Sequence, residues 1–586
     1  MKRLLRYLSR YKGRLFIALI LSLVGNLLAL VGPKLSGQAM DLLDVEIGNV
    51  DFKKVWYYAG WMLVSYVASA ICSYILSLLM LSTAQALGKR MRQDIFNKLM
   101  VLPVRYFDRN QAGDIISRIS YDVDVLTTSV SNDFVQVVAG LVTVIGSFAM
   151  MWSISVPLTL VMLLMIPVSV FYTRYMAKRT RPMFRKRSAK AGELNGMVEE
   201  LISGQKTIQA YAQEGKMTGR FDNVNEQAVS AYYDAEYYGS MIGPTVNFIN
   251  NCSLTLVAVA GSIFYLFGII DMGEKYAYLK GFALTIGAIS SFVMYSRKFS
   301  GPINEMANIV SEIQSALSAA ERVFRVLDEP EEPEDEPDAF SLSDVSGKVE
   351  MKNVNFSYDE SRQIIHNWSM QADPGKLVAI VGPTGAGKTT VINLLMRFYD
   401  PQSGEILVDG HENREVTRES LRAAYAMVLQ DTWLFEGTVA ENIAYGNEAA
   451  TEQEVVEAAK AAGVHEFVKR LPLGYNTVIT EDGENLSKGQ KQLLTIARAM
   501  LSPAKMLILD EATSNVDTRT EIHIREAMLK LMEGKTCFVI AHRLSTIQNA
   551  DKILVINAGR IEESGTHEEL MKKQGFYYQL YASQFS

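Results

Sequence analysis

Hydrophobic positions follow two different rhythms along this chain. In the first half they form long runs almost free of charge. Leu15 to Val31 holds no charged residue and continues through Pro33, long enough with its flanks to cross a bilayer as a helix. Runs near Val55 to Leu81, Phe134 to Trp152, Pro157 to Met176, Met241 to Ile270 and Gly281 to Tyr295 complete six expected spans. Ahead of them, Lys2 to Lys12 sets Leu4, Leu5, Tyr7 and Leu8 among basic residues, the pattern of a short amphipathic helix at a membrane surface; a solvated basic tail is the alternative. The connections keep helical periodicity, so the spans should continue into the aqueous phase and turn through short transverse helices near Asp108 to Ser117 and Ser203 to Glu214. Pro302 to Leu327 extends the sixth span in the same way.

Beyond it the rhythm changes. Asp328 to Asp338, DEPEEPEDEPD, is acidic and rich in proline, cannot build a core, and is expected to be an exposed tether. From Val349 the apolar runs shorten to strand length, as in VEMKNVNFSY, LVAIVG, EILVDG, MLILD, TCFVI and KILVI, with helical stretches between them. Strands alternating with helices predict a mainly parallel sheet with ligand at the carboxyl ends of its strands. The expected organisation is multidomain: an all-α six-helix transmembrane domain over residues 1–327, a linker over 328–345, and a soluble α/β domain over 346–586, whose chemistry is set by a phosphate-binding loop.

Composition adds the surroundings. The chain is 49% hydrophobic and 21% charged, with mean hydropathy +0.07, too apolar for an average soluble protein and too charged to lie wholly in a membrane. A formal charge of -6 argues against nucleic acid as a partner, since such domains carry a basic patch. Cys72, Cys252 and Cys537 form no metal or redox spacing and read as reduced, buried thiols. The connection from Ser82 to Asp133 carries Lys89, Arg90, Arg92 and Lys98, and the next long one Lys178, Arg179, Arg181 and Arg185, whereas Trp152 to Pro157 is short and uncharged. The positive-inside rule then puts both long connections, both termini and the soluble domain in the cytoplasm. No small-residue cleavage site follows the basic start, so no removable signal peptide is expected, and a bacterial cytoplasmic membrane is the expected location.

The chemistry concentrates in VAIVGPTGAGKTTVINL, Val378 to Leu394. The spacing G-x-x-x-x-G-K-T reads as strand, phosphate-binding loop and helix. Gly382, Pro383, Thr384, Gly385, Ala386 and Gly387 would wrap the ATP phosphates, all but Pro383 through backbone N–H groups, and Lys388, Thr389 and Thr390 would open a helix whose positive dipole end faces them. Lys388 would hold the β- and γ-phosphates and Thr389 would offer its hydroxyl to Mg2+. In MLILDEATS, Asp510 ends an apolar strand and Glu511 follows. Asp510 is the expected organiser of Mg2+ through water, and Glu511 the acceptor of the attacking water's proton.

Together these motifs resemble the nucleotide-binding domain of an ATP-binding cassette transporter, and with the membrane half the likeness covers nearly the whole chain. The resemblance implies that Tyr358 in NFSY stacks on adenine. It further implies that Gln430 in MVLQD reaches Mg2+ and meets the membrane domain. Ser487, Lys488, Gly489 and Gln490 in NLSKGQ would bind the γ-phosphate of ATP held by the other subunit. Asp517 in SNVD would link the two sites, and His542 in VIAHRLST would contact the γ-phosphate. The catalytic set so implied is Glu511, His542, Lys388 and Gln430. Six spans before one cassette resemble the fused exporter-type half-transporter, in which the two transverse turns are coupling helices on the cassettes, the fourth and fifth spans cross to the partner, and the working unit is a dimer.

Lys488 departs from the family's usual L-S-G-G-Q. Heterodimeric members combine one consensus with one degenerate site, and this chain, with Glu511 intact and a deviating signature, reads as the competent subunit of such a pair; a tolerated variant in a homodimer is the alternative. The spans hold few ionisable residues and many methionines, Met150, Met151, Met162 and Met165 among them, which suits an adaptable apolar pocket as well as plain helix packing. Asn247, Asn250 and Asn251 share a helical face, for interhelical hydrogen bonds or cargo. The expected function is ATP-driven export of hydrophobic or amphiphilic compounds. A lipid flippase or importer on the same fold is the alternative, and a non-transporting regulatory membrane protein a remote one. With no peptidase domain ahead of the first span, a leader-cleaving peptide exporter is not expected.

Overall fold

Uncharged runs flanked by Lys and Arg fold as helices far longer than a bilayer requires, because nothing in their polar extensions stops them. The computed structural model describes residues 2–43, 50–269, 282–359, 362–429, 432–480, 483, 485–510, 518–540 and 547–585. The chain divides into two units, one of residues 1–100 and 112–329, the other of residues 101–111 and 330–586.

The first unit is helical. It comprises α1 (Lys2–Ser9), α2 (Lys12–Asp41) and α3 (Phe52–Met100), and the second unit's α4 (Val104–Arg109) follows in the chain. Helical backbone then runs from Ala112 to Ile154 as α5 (Ala112–Ser117), α6 (Val123–Thr128) and α7 (Phe134–Ile154), joined by π-helical stretches Arg118–Asp122 and Ser129–Asp133. After it come α8 (Val156–Ser203), α9 (Gln205–Ala210), α10 (Glu214–Ser240), α11 (Ile242–Ile269) and α12 (Ile286–Asp328). Five helical stretches among the described residues are long and apolar enough to cross a membrane: Lys12–Asp41, Phe52–Met100, Ala112–Ile154, Val156–Ser203 and Glu214–Phe267. The sixth expected span survives as the start of α12, where Arg297 and Lys298 soon interrupt the apolar run; Gly281 and Ile270 lie outside the described residues.

Close backbone approach joins α2 to α12. A Cβ on Gly287 would lie 2.0 Å from the Gly37 carbonyl oxygen, and one on Gly37 would lie 2.4 Å from that of Gly287, so only glycine fits on either side. Asp41 caps α12 from outside, its carboxylate accepting from Gly287 N at 2.8 Å and Thr285 Oγ1 at 3.1 Å. The Tyr295 hydroxyl donates to the Leu30 carbonyl at 2.6 Å. Met150, Met151 and Met162 pack into this core with Phe292 and Phe299, so three of the four methionines singled out in sequence are structural.

The second unit is α/β. Its strands are β1 (Val349–Phe356), β2 (Ile365–Ala372), β3 (Leu377–Val381), β4 (Ser403–Val408), β5 (His411–Glu412), β6 (Tyr425–Val428), β7 (Gly437–Thr438), β8 (Val478–Ile479), β9 (Met506–Asp510), β10 (Thr536–Ile540), β11 (Lys552–Asn557) and β12 (Arg560–Gly565). Helices α13 (Lys388–Leu395), α14 (Arg418–Ala423), α15 (Val439–Ala444), α16 (Glu452–Ala461), α17 (His465–Val468), α18 (Lys488–Leu501) and α19 (Thr518–Met532) lie between them. The central sheet has the order β12-β11-β3-β10-β9-β6, parallel except for β12. A separate antiparallel sheet, β2-β1-β4-β5, was not separable from the parallel one by pattern.

Period-two alternation gives the central sheet two buried faces. Val378, Ile380, Ile508 and Phe538 face one cluster with α13 and the antiparallel sheet. Ala379, Val381, Leu509 and Val539 face another with α15, α16, α18 and α19. The helices that follow β3 and precede β9 thus lie on opposite faces.

Two expectations need correction. The first transverse helix is α4, Val104–Arg109, earlier than Asp108 to Ser117, because Pro103 opens it in an extended conformation and Asn110 closes it the same way; Ala112 to Ser117 already belongs to the next long helix. The acidic run is also not a free tether. Asp335 takes the Arg418 backbone N–H at 2.9 Å and its guanidinium at 2.6 Å, Glu332 pairs with Arg422, and Arg397 lies 3.6 Å from Asp335. Arg397 and Arg418 are buried, and a buried cation requires such partners. Cys537 is buried and Cys72 and Cys252 half-buried, all three as free thiols; burial pushes the Cys537 thiol up to about 12.

Asp335→Asn should therefore destabilise the full-length protein by about 2 kcal/mol, the worth of a charge-assisted bond. Glu336→Gln, an exposed acid of the same run, should cost less than about 0.5 kcal/mol. Thermal-shift measurements on both variants check this, and equal effects would remove the docked-linker reading.

Candidate functional site

The phosphate-binding loop is built from a buried strand, a backbone that only glycine can follow, and a helix start. β3 delivers the chain to Gly382, where a Cβ would lie 2.3 Å from the Ile556 carbonyl oxygen. Gly385 at φ +80 and Gly387 at φ +103 turn through the left-handed region, which costs a residue with a side chain more than it costs glycine. Ala386 is buried and ties the loop to the next strand's turn, its carbonyl accepting from Gly559 N at 3.2 Å. Pro383, Thr384 and Gly385 are exposed, as is Thr389, whereas Thr390 is buried.

Lys388 folds back over the loop, its ammonium donating to the carbonyls of Gly382 at 2.7 Å and Pro383 at 3.0 Å. Burial lowers its proton affinity, while the Asp510 carboxylate at the end of β9 raises it. A partly desolvated cation held only by carbonyls has much to gain from an anion in the loop. Strand order brings Asp510 to Lys388: β10 lies between β3 and β9, and Asp510 pairs with Ile540.

Tyr358 stands beside the same helix. Its hydroxyl donates to Thr390 Oγ1 at 3.2 Å and accepts from Asn393 Nδ2 at 3.0 Å, and its ring lies edge-on to Phe356 and Tyr399. α4 meets this aromatic group: the Tyr399 hydroxyl donates to Asp108 Oδ2 at 2.5 Å, and Arg109 reaches the Tyr358 carbonyl at 3.4 Å. Asn393 and Tyr399 were missed in the sequence, because their partners are 35 and 291 residues away and no local period marks them.

Ser487 to Gln490 form the start of α18 as a capping box. Gln490 N donates to Ser487 Oγ at 3.3 Å, and Ser487 N to Gln490 Oε1 at 2.9 Å. Lys488 is the first helical residue and is exposed, while Gly489 is buried. No positive φ occurs at Lys488, so the backbone there does not require the glycine that the family pattern carries. α18 belongs to the cluster on the face away from α13, so the phosphate loop and the signature are not brought together within one chain. Gln430, Glu511, Asp517 and His542 lie outside the described residues.

Comparison with known proteins follows this geometry. Residues 15–289 match the ABC transporter transmembrane region family, and residues 365–514 the ABC transporter family. The uncharacterized ABC transporter ATP-binding protein YfiC of Bacillus subtilis (strain 168) is 40% identical over 585 residues, covering 100% of this chain and 94% of that one. The fatty acid ABC transporter ATP-binding/permease protein of Mycobacterium bovis is 44% identical over 533 residues, 91% of this chain and 82% of the other. A solved bacterial Atm1-family ABC exporter with ATP bound superposes with a TM-score of 0.74 at 28% identity, covering 99% of both chains. The chain belongs to the ATP-binding cassette transporters, as an exporter-type protein in which a helical membrane region is fused to an ATPase that couples ATP hydrolysis to transport.

Proposed function

We propose that this protein is one half of a two-chain pump that exports hydrophobic or amphiphilic compounds across the bacterial cytoplasmic membrane, with its ATPase region in the cytoplasm. The observation that carries the two-chain reading is the separation of α13 and α18 on opposite faces of one sheet. ATP in the phosphate loop then needs a second chain's signature to complete its surroundings. α9 supports the same reading: none of its residues is buried, and Ile202 and Tyr211 beside it are 69% and 74% exposed.

In this reading the loop amides and Lys388 hold the phosphates, Tyr358 faces adenine, Glu511 takes the proton of the attacking water, and His542 and Gln430 hold the γ-phosphate and the water in line. Thr389, exposed on the first turn of α13, and Asp510 at its strand end are hard oxygen donors of the kind Mg2+ requires; with Gln430 they are its proposed holders, Asp510 through water. The metal would neutralise charge on the phosphoryl oxygens. Closure of two ATPase regions around ATP gains contacts absent without the γ-phosphate, so hydrolysis biases a two-state element. α4 offers a route for that bias, since the chain enters it from α3 and leaves it to α5, and its Asp108 and Arg109 contact Tyr399 and Tyr358.

The partner is proposed to be a different half-transporter chain. Lys488 projects a cation from the start of α18, where the helix dipole already repels positive charge, so this signature differs electrostatically from the consensus toward the nucleotide of the other subunit. The relative named for fatty acid transport supports an amphiphilic cargo.

Glu511→Gln should leave ATP binding intact and lower turnover by about a hundredfold or more, read by nucleotide binding and phosphate release in lipid; unchanged hydrolysis would refute the assignment. Gly382→Ala should push the loop from the Ile556 carbonyl and weaken ATP binding by about tenfold, read with a fluorescent ATP analogue, and unchanged affinity would contradict the cradle. The wild-type chain purified alone should bind ATP yet hydrolyse it only when a co-purifying second chain is added. Full Glu511-dependent turnover by the lone chain would establish a homodimer instead.

A further inference from the structure

Two adjoining cavities in the first unit lie where α8, α11 and α12 meet, and they share Met162, Asn250, Ser253 and Ser300. One is a chamber of about 360 Å³ whose wall is polar, with Asn247, Asn251, Ser296 and Arg297. The other is a slot of about 30 Å³ with an apolar wall that includes Met165, Ile166, Val170 and Phe299. Arg297 is the one charged side chain in either lining, and neither lining holds a carboxylate.

Of the chamber's polar groups, Ser296 donates its hydroxyl to Met151 Sδ at 3.5 Å. Among the described residues, Arg297 has no ion pair, and the side chains of Asn247, Asn250 and Asn251 make no hydrogen bond to another helix, so the interhelical role open to them in sequence is not taken. Asn247 and Asn251, one turn apart, and Asn250 beside them put three amides on the chamber side of α11. A guanidinium among neutral amides and hydroxyls, with no acid nearby, selects for an anion and against a cation. The slot's wall includes Val170 and Ile249, whose chain neighbours Phe171 and Phe248 are exposed apolar residues. The slot itself is too narrow for an acyl chain, so a chain would lie outside it against these exposed side chains of α8 and α11.

We propose that this cleft takes an anionic amphiphile. A carboxylate or phosphate headgroup sits in the chamber on Arg297 and the α11 amides, and the acyl chain leaves along the seam between α8 and α11. This names the cargo class of the transport reading above and rests on it. Arg297 is then the residue that separates anionic from neutral cargo of the same chain length.

The test is equilibrium binding to the full-length protein in lipid nanodiscs without nucleotide, with oleate, oleoyl lysophosphatidate and oleyl alcohol as probes. One or both anions should bind about ten- to a hundredfold more tightly than the alcohol, and the tighter anion identifies a carboxylate or a phosphate head. Arg297→Gln should erase that preference, and Arg297→Lys should keep most of it. Equal binding of all three probes by the unaltered protein would overturn the proposal whatever the variants do, and so would an anion preference that survives in Arg297→Gln. Because no turnover is needed, intact anion preference without ATP-driven transport would overturn the export reading alone. ATP-driven transport without anion preference would overturn this one alone.

Discussion

One central sheet with two buried faces controls the nucleotide chemistry. The parallel strands β3, β6, β9, β10 and β11 alternate their side chains between two hydrophobic clusters, so a helix packed on this sheet settles on one face or the other. α13, which carries the phosphate loop, settles against the antiparallel sheet, and α18, which carries the signature, against α15, α16 and α19. The half-complete nucleotide site of a single chain follows from this partition. ABC exporters function as dimers, and this partition is consistent with a nucleotide site shared between two chains.

Around the phosphate loop, one small set of contacts joins α13, two tyrosines and α4. Tyr358 is anchored through its hydroxyl to α13 and through its ring to Tyr399, and Tyr399 is hydrogen-bonded to Asp108 of α4. A shift of α13 on binding phosphate therefore meets α4 through two aromatic residues. Within the second unit, the acidic run after α12 is held by buried Arg418 and half-buried Arg422.

In the membrane unit, close packing and polarity divide the labour. Facing glycines bring α2 and α12 to backbone contact, and Asp41 accepts from the Gly287 amide and the Thr285 hydroxyl at the start of α12. That leaves the opposite side of α12, with Ser296, Arg297 and Ser300, facing α8 and α11 across open space. Met150 and Met151 fill the packed side, Met162 belongs both to that cluster and to the cleft wall, and Met165 lines the cleft.

Patterns set by nearest neighbours were legible in the sequence. Five of the six spans, the strands β3, β9, β10 and β11 of the parallel sheet and the phosphate loop from Gly382 to Thr390 follow from period and glycine spacing, which act over a few residues; β6 was hidden in a stretch read as helical, and the helix opening at Ser487 was legible only through the family resemblance. The antiparallel sheet, the docking of Asp335 on Arg418, the aromatic link from Tyr358 to Asp108 and the polar chamber at Arg297 were decided only in three dimensions. Their partners lie tens to hundreds of residues apart, and DEPEEPEDEPD carries the composition of a solvated tether whether or not buried arginines await it. Sequence by itself determined which chemistry this protein carries, because phosphate binding is built from local backbone; tertiary structure alone decided which groups each chain can bring together, because the faces of a sheet are assigned only when it folds.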